Sequence, residues 1–402
     1  MTFPALARVV LAGALASVLG APLLTPAPAP AAQAPAAAAG PRQEPTPPRP
    51  APAAPPGWLY RSGTQVRAQP AAPALPGDIS ALSWLVADAD SGDVLAAKNA
   101  HEPLPPASTL KTLFALTVLP QVPGTVRHTV TDAELEGIGE GSSLVGVDAG
   151  RTYRAADLWR GVFLSSGNDA VHVLAEMNGG WAATARAMQA KARSLGAHDT
   201  HVVSPDGYDA PGQVSSAYDL AVFGRAGLQH PEFRRYCSTA LATFPEGEWS
   251  YDIQNTNRLL TGADGVAPYR GLLGVKNGYT SGAGHTLIAA AKHGDRTLVV
   301  TVMNPQDGGA FEVYEEARSL LDWGFAADGH VHPVGSLKPP APKAQAGPGP
   351  AAAPTAAADD DGETWPTAGG AATGLAVVVL AGWAAYAVRR RRVRREVVRG
   401  EG

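Results

Sequence analysis

Apolar positions fall into three regimes along this chain. Between residues 83 and 325 they form short runs separated by turn residues; near each terminus a longer uncharged apolar run stands apart, cut off from the middle by proline and alanine. In the middle, Ser83-Trp84-Leu85-Val86-Ala87-Asp88 and Val94-Leu95-Ala96-Ala97 flank Asp90-Ser91-Gly92-Asp93, the pattern of a β-hairpin. A second hairpin is predicted from 286–291 and 297–303 around His293-Gly294-Asp295. A short strand over 271–275 leads into Lys276. Residues 108–119, behind Pro105-Pro106 and stopped by Pro120, predict a buried helix. Helical spacing also covers 168–177, 181–195 and 216–228, and 311–325 reads as an amphipathic closing helix. Strands toward both ends with helices between them predict an α/β fold: an antiparallel sheet built from the two terminal parts and carrying a helical insert.

The isolated apolar runs divide the chain. Arg8 followed by the uncharged stretch 9–24 and small residues such as Ala29-Pro30-Ala31 predicts a secretory signal peptide over 1–31. Residues 368–388 are uncharged and apolar. At ~1.5 Å per residue they span ~31 Å, enough to cross a hydrocarbon core as a transmembrane helix. Arg389-Arg390-Arg391-Arg392 follows at once, so 389–402 reads as a basic cytoplasmic tail and the bulk of the chain as extracellular, held at the cell membrane by one pass. Beside an apolar span such a run is a topology signal and not a nucleic-acid site. Pro/Ala-rich linkers at 32–57 and 339–367 have no apolar periodicity and predict extended spacers, the second reaching up to ~80 Å. A catalytic-sized domain remains over 58–338.

Charge and cysteine narrow the picture further. The chain carries −4, of which the segment from Arg389 onward contributes +5, leaving −9 and no attraction to polyanions for the rest. Cys237 is the only cysteine, so no intrachain disulfide forms, and Arg235-Tyr236-Cys237-Ser238 reads as a packed thiol. The ten His residues show no ligand spacing, and neither a metal nor another cofactor is expected.

Three short motifs carry chemistry. In Ser108-Thr109-Leu110-Lys111 the hydroxyl and the amine share a helix face, so Lys111 Nζ can reach Ser108 Oγ. Ser108 taken alone reads better as a helix N-cap, and one S-x-x-K is expected by chance in a chain of this length. A helix N-terminus, burial and a second lysine would all lower the Lys111 pKa toward that of a base. Ser166-Gly167-Asn168 sits at a loop-to-helix junction, where capping is again the plain alternative. Its hydroxyl could relay a proton, and its amide could hold a substrate carbonyl or orient Lys111. Lys276-Asn277-Gly278-Tyr279-Thr280 supplies a cation for a substrate carboxylate, with a glycine that would let substrate approach the backbone. In this order the three assemble a nucleophile, a base, a relay and an anion site, the requirements of acyl transfer on a substrate ending in a free carboxylate.

Through these motifs the chain resembles the D-alanyl-D-alanine carboxypeptidases, the low-molecular-mass penicillin-binding proteins. The resemblance runs from about residue 84 to 303 and includes Pro106-Ala107-Ser108-Thr109-Leu110-Lys111, Ser165-Ser166-Gly167-Asn168-Asp169-Ala170, Gly274-Val275-Lys276-Asn277-Gly278-Tyr279-Thr280 and Asp206-Gly207-Tyr208-Asp209-Ala210-Pro211-Gly212. It implies the penicillin-recognising serine transferase fold, shared with β-lactamases and transpeptidases. It implies an acyl-enzyme on Ser108 with Lys111 as base, Ser166 and Asn168 in the second motif, Lys276 as carboxylate binder, and backbone N–H groups of Ser108 and Tyr279 as oxyanion hole. Peptidoglycan stem peptides would be the substrates and β-lactams the inhibitors. Asn277 stands where the family usually has threonine, and the β-rich C-terminal domain of many relatives has no counterpart before the spacer. The alternatives are a β-lactamase-type hydrolase, for which no Glu-x-x-Asn element appears between the second and third motifs, and a catalytically weak peptidoglycan-binding protein.

Overall fold

The structure, a computed structural model, describes residues 57–307 and 309–339. The candidate signal peptide, nearly all of both Pro/Ala tracts, the apolar span 368–388 and the basic tail lie outside these residues. Twelve strands are described: β1 (Thr64–Ala68), β2 (Ser83–Asp88), β3 (Asp93–Lys98), β4 (Arg127–Thr129), β5 (Thr152–Arg154), β6 (Leu241–Glu246), β7 (Trp249–Gln254), β8 (Leu272–Thr280), β9 (Gly284–His293), β10 (Arg296–Met303), β11 (Val331–His332) and β12 (Gly335–Ser336). The α-helices are α1 (Lys111–Val118), α2 (Ala155–Leu164), α3 (Asn168–Met177), α4 (Trp181–Ser194), α5 (Ala217–Leu228), α6 (Pro231–Cys237), α7 (Arg258–Thr261) and α8 (Glu312–Ala326).

The main sheet has the order β11-β1-β3-β2-β10-β9-β8, with β12 also on β3, and every pairing in it is antiparallel. Its central pair joins the two predicted hairpins, β2 lying against β10 from Asp88 opposite Leu298 to Ser83 opposite Met303. Between β3 and β8 the chain builds the helical insert, with β4–β5 and β6–β7 as small two-stranded sheets within it.

Alternation along the strands feeds two cores. Leu85, Ala87, Ile288, Ala290 and Val299 face α1 and α5, whereas Trp84, Val86, Leu287, Ala289, Leu298 and Val300 face α8 through Val313, Ala317, Leu320 and Leu321. Because helices cover both faces, these strands read as nearly continuous apolar runs and not as alternating ones. A glycine marks the close crossing on each side. A Cβ on Gly224 of α5 would stand 2.7 Å from Ile288 Cγ2, and one on Gly324 of α8 would stand 2.8 Å from both Leu298 and Val86 methyls.

The predicted hairpins and the helices over 168–177, 181–195, 216–228 and 311–325 match β2–β3, β9–β10, α3, α4, α5 and α8 to within a residue or two. Two expectations are corrected. The helix expected over 108–119 begins as a 3-10 turn, Ala107–Leu110, and becomes α-helical only at Lys111; Ser108 caps nothing. The strand expected over 271–275 instead runs through the whole third motif to Thr280, because β9 keeps pairing with it until Gly284 opposite Thr280. Cys237 is packed as expected, fully buried with its thiol against the carbonyls of Arg234 and Leu273. Burial pushes that thiol up to about 12.

Candidate active site

Strand β8 forms one edge of the sheet, so alternate N–H and C=O groups along it face away from β9. The 3-10 turn carrying Ser108 packs on the face of β8 and β9 beside that edge. Thr286 Oγ1 on β9 donates to Pro106 O at 2.9 Å, and Gly278 leaves no side chain between strand and turn: a Cβ there would lie 2.7 Å from Ser108 N. The glycine expected to admit substrate therefore admits the turn that carries Ser108. A second glycine closes the other side. Gly207 has φ +83°, and a Cβ on it would collide with Ala107 O, so the 206–212 loop presses directly on the residue before Ser108.

Lys111 occupies the centre. It is 1% exposed, and its Nζ lies 2.7 Å from Ser108 Oγ and 3.3 Å from Ser166 Oγ. Burial lowers the amine from its ordinary value to about 8, against the opposing pull of the Asp206 and Asp169 carboxylates. Lys276 is equally buried in the middle of β8, and its Nζ donates to its neighbour Asn277's carbonyl at 2.8 Å. Burial first, then the charge of Lys111, holds its pKa well below the lysine range. Two amines in one dry site cannot both be comfortably charged; Lys276 is pushed the further, and Lys111, titrating near 8, keeps a neutral fraction able to accept a proton.

Ser166 and Asn168 come from the sharp connection between α2 and α3. Ser166 adopts φ 59° and Ala107 φ 49°, left-handed backbone that costs a non-glycine residue ~1–2 kcal/mol each. The connection is held by Asp169, whose carboxylate accepts from the N–H groups of Val145 (3.0 Å), Gly146 (2.7 Å) and Val147 (2.9 Å). That fixes the loop bearing Ser142, whose Oγ accepts from Asn168 Nδ2 at 3.0 Å. Asn168 does not bond Lys111, so it does not orient the base. Its buried Oδ1 has no partner among the described residues.

The cleft in front of these groups encloses about 260 Å³ and is lined by Ser108, Ser142, Asn168, Tyr208, Tyr279 and Thr280, among others. Of the residues singled out from sequence, Ser108, Asn168 and Tyr279 face it, while Lys111, Ser166 and Lys276 stand buried behind them. Asn277 is half-buried; its Oδ1 accepts from Thr256 Oγ1 at 3.0 Å, which leaves its Nδ2 as a donor. Sequence reasoning gave no role to Asp169, Ser142, Asp206 or Thr256. Asp169 and Asp206 lie inside the recognisable stretches, but Ser142 and Thr256 reach the site only through tertiary contacts and carry no local signal. Among the described residues no cluster of His, Cys, Asp and Glu could hold a metal ion.

The profile of the D-alanyl-D-alanine carboxypeptidase family matches residues 66–307. The chain belongs to that family of serine peptidases. It is 40% identical over 275 residues to the D-alanyl-D-alanine carboxypeptidase DacB2 of Mycobacterium tuberculosis, covering 67% of this chain and 90% of that protein. Among solved structures, a D-alanyl-D-alanine carboxypeptidase from M. tuberculosis superimposes with a TM-score of 0.60 at 36% identity, covering 67% of this chain and 99% of the other. Penicillin binding protein 6B of Escherichia coli does so with a TM-score of 0.56 at 35% identity, covering 64% and 81%. The fold is thus that of the penicillin-binding carboxypeptidases and transpeptidases, and the family weighs against the β-lactamase alternative.

Asp169 offers a test of how the site is braced. Removing its carboxylate strands the N–H groups of 145–147, at ~1–3 kcal/mol for each donor left without a partner. Asp169→Ala should lower unfolding stability by more than ~3 kcal/mol in a denaturant titration. A loss below ~1 kcal/mol would mean that water replaces the carboxylate and the bracing is dispensable.

Proposed function

We propose that this protein removes the terminal D-alanine from peptidoglycan stem peptides through an acyl-enzyme on Ser108. The observation that supports this most strongly is the buried Lys111 amine, 2.7 Å from Ser108 Oγ and 3.3 Å from Ser166 Oγ. Neutral Lys111 takes the Ser108 proton as Oγ attacks the penultimate D-alanine carbonyl. The N–H groups of Ser108 and Tyr279 meet the developing oxyanion, where preorganised donors act most strongly. Lys111 returns the proton through Ser166 to the departing amine, D-alanine leaves, and water attacks the ester by the same route in reverse.

Asn277 Nδ2 and the charge of Lys276 hold the substrate's terminal carboxylate. Because Lys276 has almost no exposed surface, it works largely as a buried charge behind the cleft wall. An arriving carboxylate favours its protonated form, against the burial and the Lys111 charge that depress it in the free enzyme. A β-lactam presents a similar amide beside a carboxylate. Its ring nitrogen stays attached after acylation and obstructs the water.

The experiment combines turnover and labelling. Wild-type protein should release D-alanine from an acyl-D-Ala-D-Ala peptide and be modified by labelled penicillin on Ser108, whereas Ser108→Ala should do neither. Lys111→Ala should slow acylation by about 10²–10⁴-fold. Label on another residue, or acylation slowed less than tenfold in Lys111→Ala, would overturn these assignments.

We also propose that the domain works outside the cell as a single-pass protein with its C-terminus in the cytoplasm. The sequence pattern supports this: an uncharged apolar run over 368–388 followed at once by Arg389-Arg390-Arg391-Arg392. Among the described residues no helix is long and apolar enough to cross a membrane, and the candidate span lies outside them. Expressed full-length, the protein should stay with membranes through alkaline carbonate extraction, and a chain ending at Asp361 should be released. Full-length protein in the soluble fraction would contradict the tether.

A further inference from the structure

The cleft has a direction. With the substrate's carboxylate at Lys276 and Asn277 and its reacting carbonyl at Tyr279, the peptide runs along the open edge of β8 toward Thr280. Residues preceding the D-alanines are thereby led past Thr280 to Ser281 and Gly282. This direction rests on the carboxypeptidase reading above.

There the structure opens a second cavity of about 450 Å³, whose walls include Pro105, Pro106, Tyr208, Asp209, Pro211 and Gly282. It shares Gly207, Tyr208, Asp209 and Ser281 with the catalytic cleft, so the two lie side by side. The side chain at the junction is Asp209. Its Oδ1 accepts from Thr280 Oγ1 at 2.7 Å and its Oδ2 from Gly282 N at 2.9 Å, which pins the 206–212 loop across the turn between β8 and β9. Two such bonds leave an exposed carboxylate with lone pairs to spare. No Lys or Arg lines either cavity, and the second acid on the lining, Glu140, is on the catalytic cleft. Apolar proline and tyrosine walls leading to a carboxylate without a cation suit a side chain of methylenes ending in an amine.

We propose that this cavity is a specificity subsite for the stem-peptide residue immediately before the two D-alanines, and that Asp209 selects a diamino acid there by pairing with its side-chain ammonium. The apolar walls take the methylene stem. The pairing lies at a solvent-accessible rim, so it sorts substrates and does not contribute to bond-breaking itself.

The test compares two peptides, Nα-acetyl-L-Lys-D-Ala-D-Ala with its ε-amine free, and the same peptide acetylated on that amine. Wild-type kcat/KM should favour the free amine by about two- to fivefold, the worth of an exposed ion pair. Asp209→Asn should bring the ratio near one, and Asp209→Glu should restore part of it. Damage to the 280–282 turn would lower both peptides alike and leave the ratio standing, so the ratio separates recognition from structure. A wild-type ratio of one or less, or a ratio unchanged in Asp209→Asn, would overturn the subsite while the carboxypeptidase reading stands. Turnover of neither peptide would overturn that reading, and the subsite with it.

Discussion

A lysine amine sealed between two serine hydroxyls governs the architecture around it. Lys111 is buried, and moving its pKa from 10.5 to about 8 amounts to roughly 3 kcal/mol against the charged form. Nothing on Lys111 itself produces this; the shift comes from the turn, strand and loop that exclude water from three sides. Asp206 and Asp169 pull the other way, so the amine rests near neutrality and can both take and return a proton. Lys276, with no comparable carboxylate acting on it, is driven lower still until a substrate supplies one.

Exclusion of water in turn demands close approach of backbone. Gly278 and Gly207 hold the Ser108 turn between β8 and the 206–212 loop, where any Cβ would collide with Ser108 N or Ala107 O. The left-handed backbone at Ala107 and Ser166 is strain borne beside Ser108 and at Ser166. Asp169 offsets some of it by fixing the loop behind Asn168 through three backbone N–H groups. Stability is thus concentrated just behind the cleft, and the cleft surface is left to recognition.

Much of this was legible in the residues alone, for physical reasons. The hairpins at β2–β3 and β9–β10 combine strong β-formers with glycine turns, and α3, α4, α5 and α8 have clear helical spacing. The order Ser108, Lys111, Ser166, Asn168, Lys276 named the chemistry because few other arrangements use those groups together. Illegible were features set by tertiary contact. From its neighbours Lys276 reads as the end of a strand, since a lysine inside one normally faces solvent; it lies mid-strand because the Ser108 turn covers it. The hairpin β6–β7 left little pattern, as Phe244 and Ile253 are its only buried side chains. Thr256, which fixes the Asn277 amide, lies 21 residues from it and is brought there only by the fold.

The central claim is that burial lowers Lys111 far enough for a neutral fraction of the amine to serve as base near pH 8. Direct NMR titration of its side-chain amine in lysine-labelled protein, with the resonance assigned by its loss in Lys111→Met, measures this without reference to activity. The expected midpoint is near 8, so that the neutral fraction rises as pH climbs through that value. A midpoint at the ordinary lysine value of 10.5 would contradict it and leave Ser108 without a base.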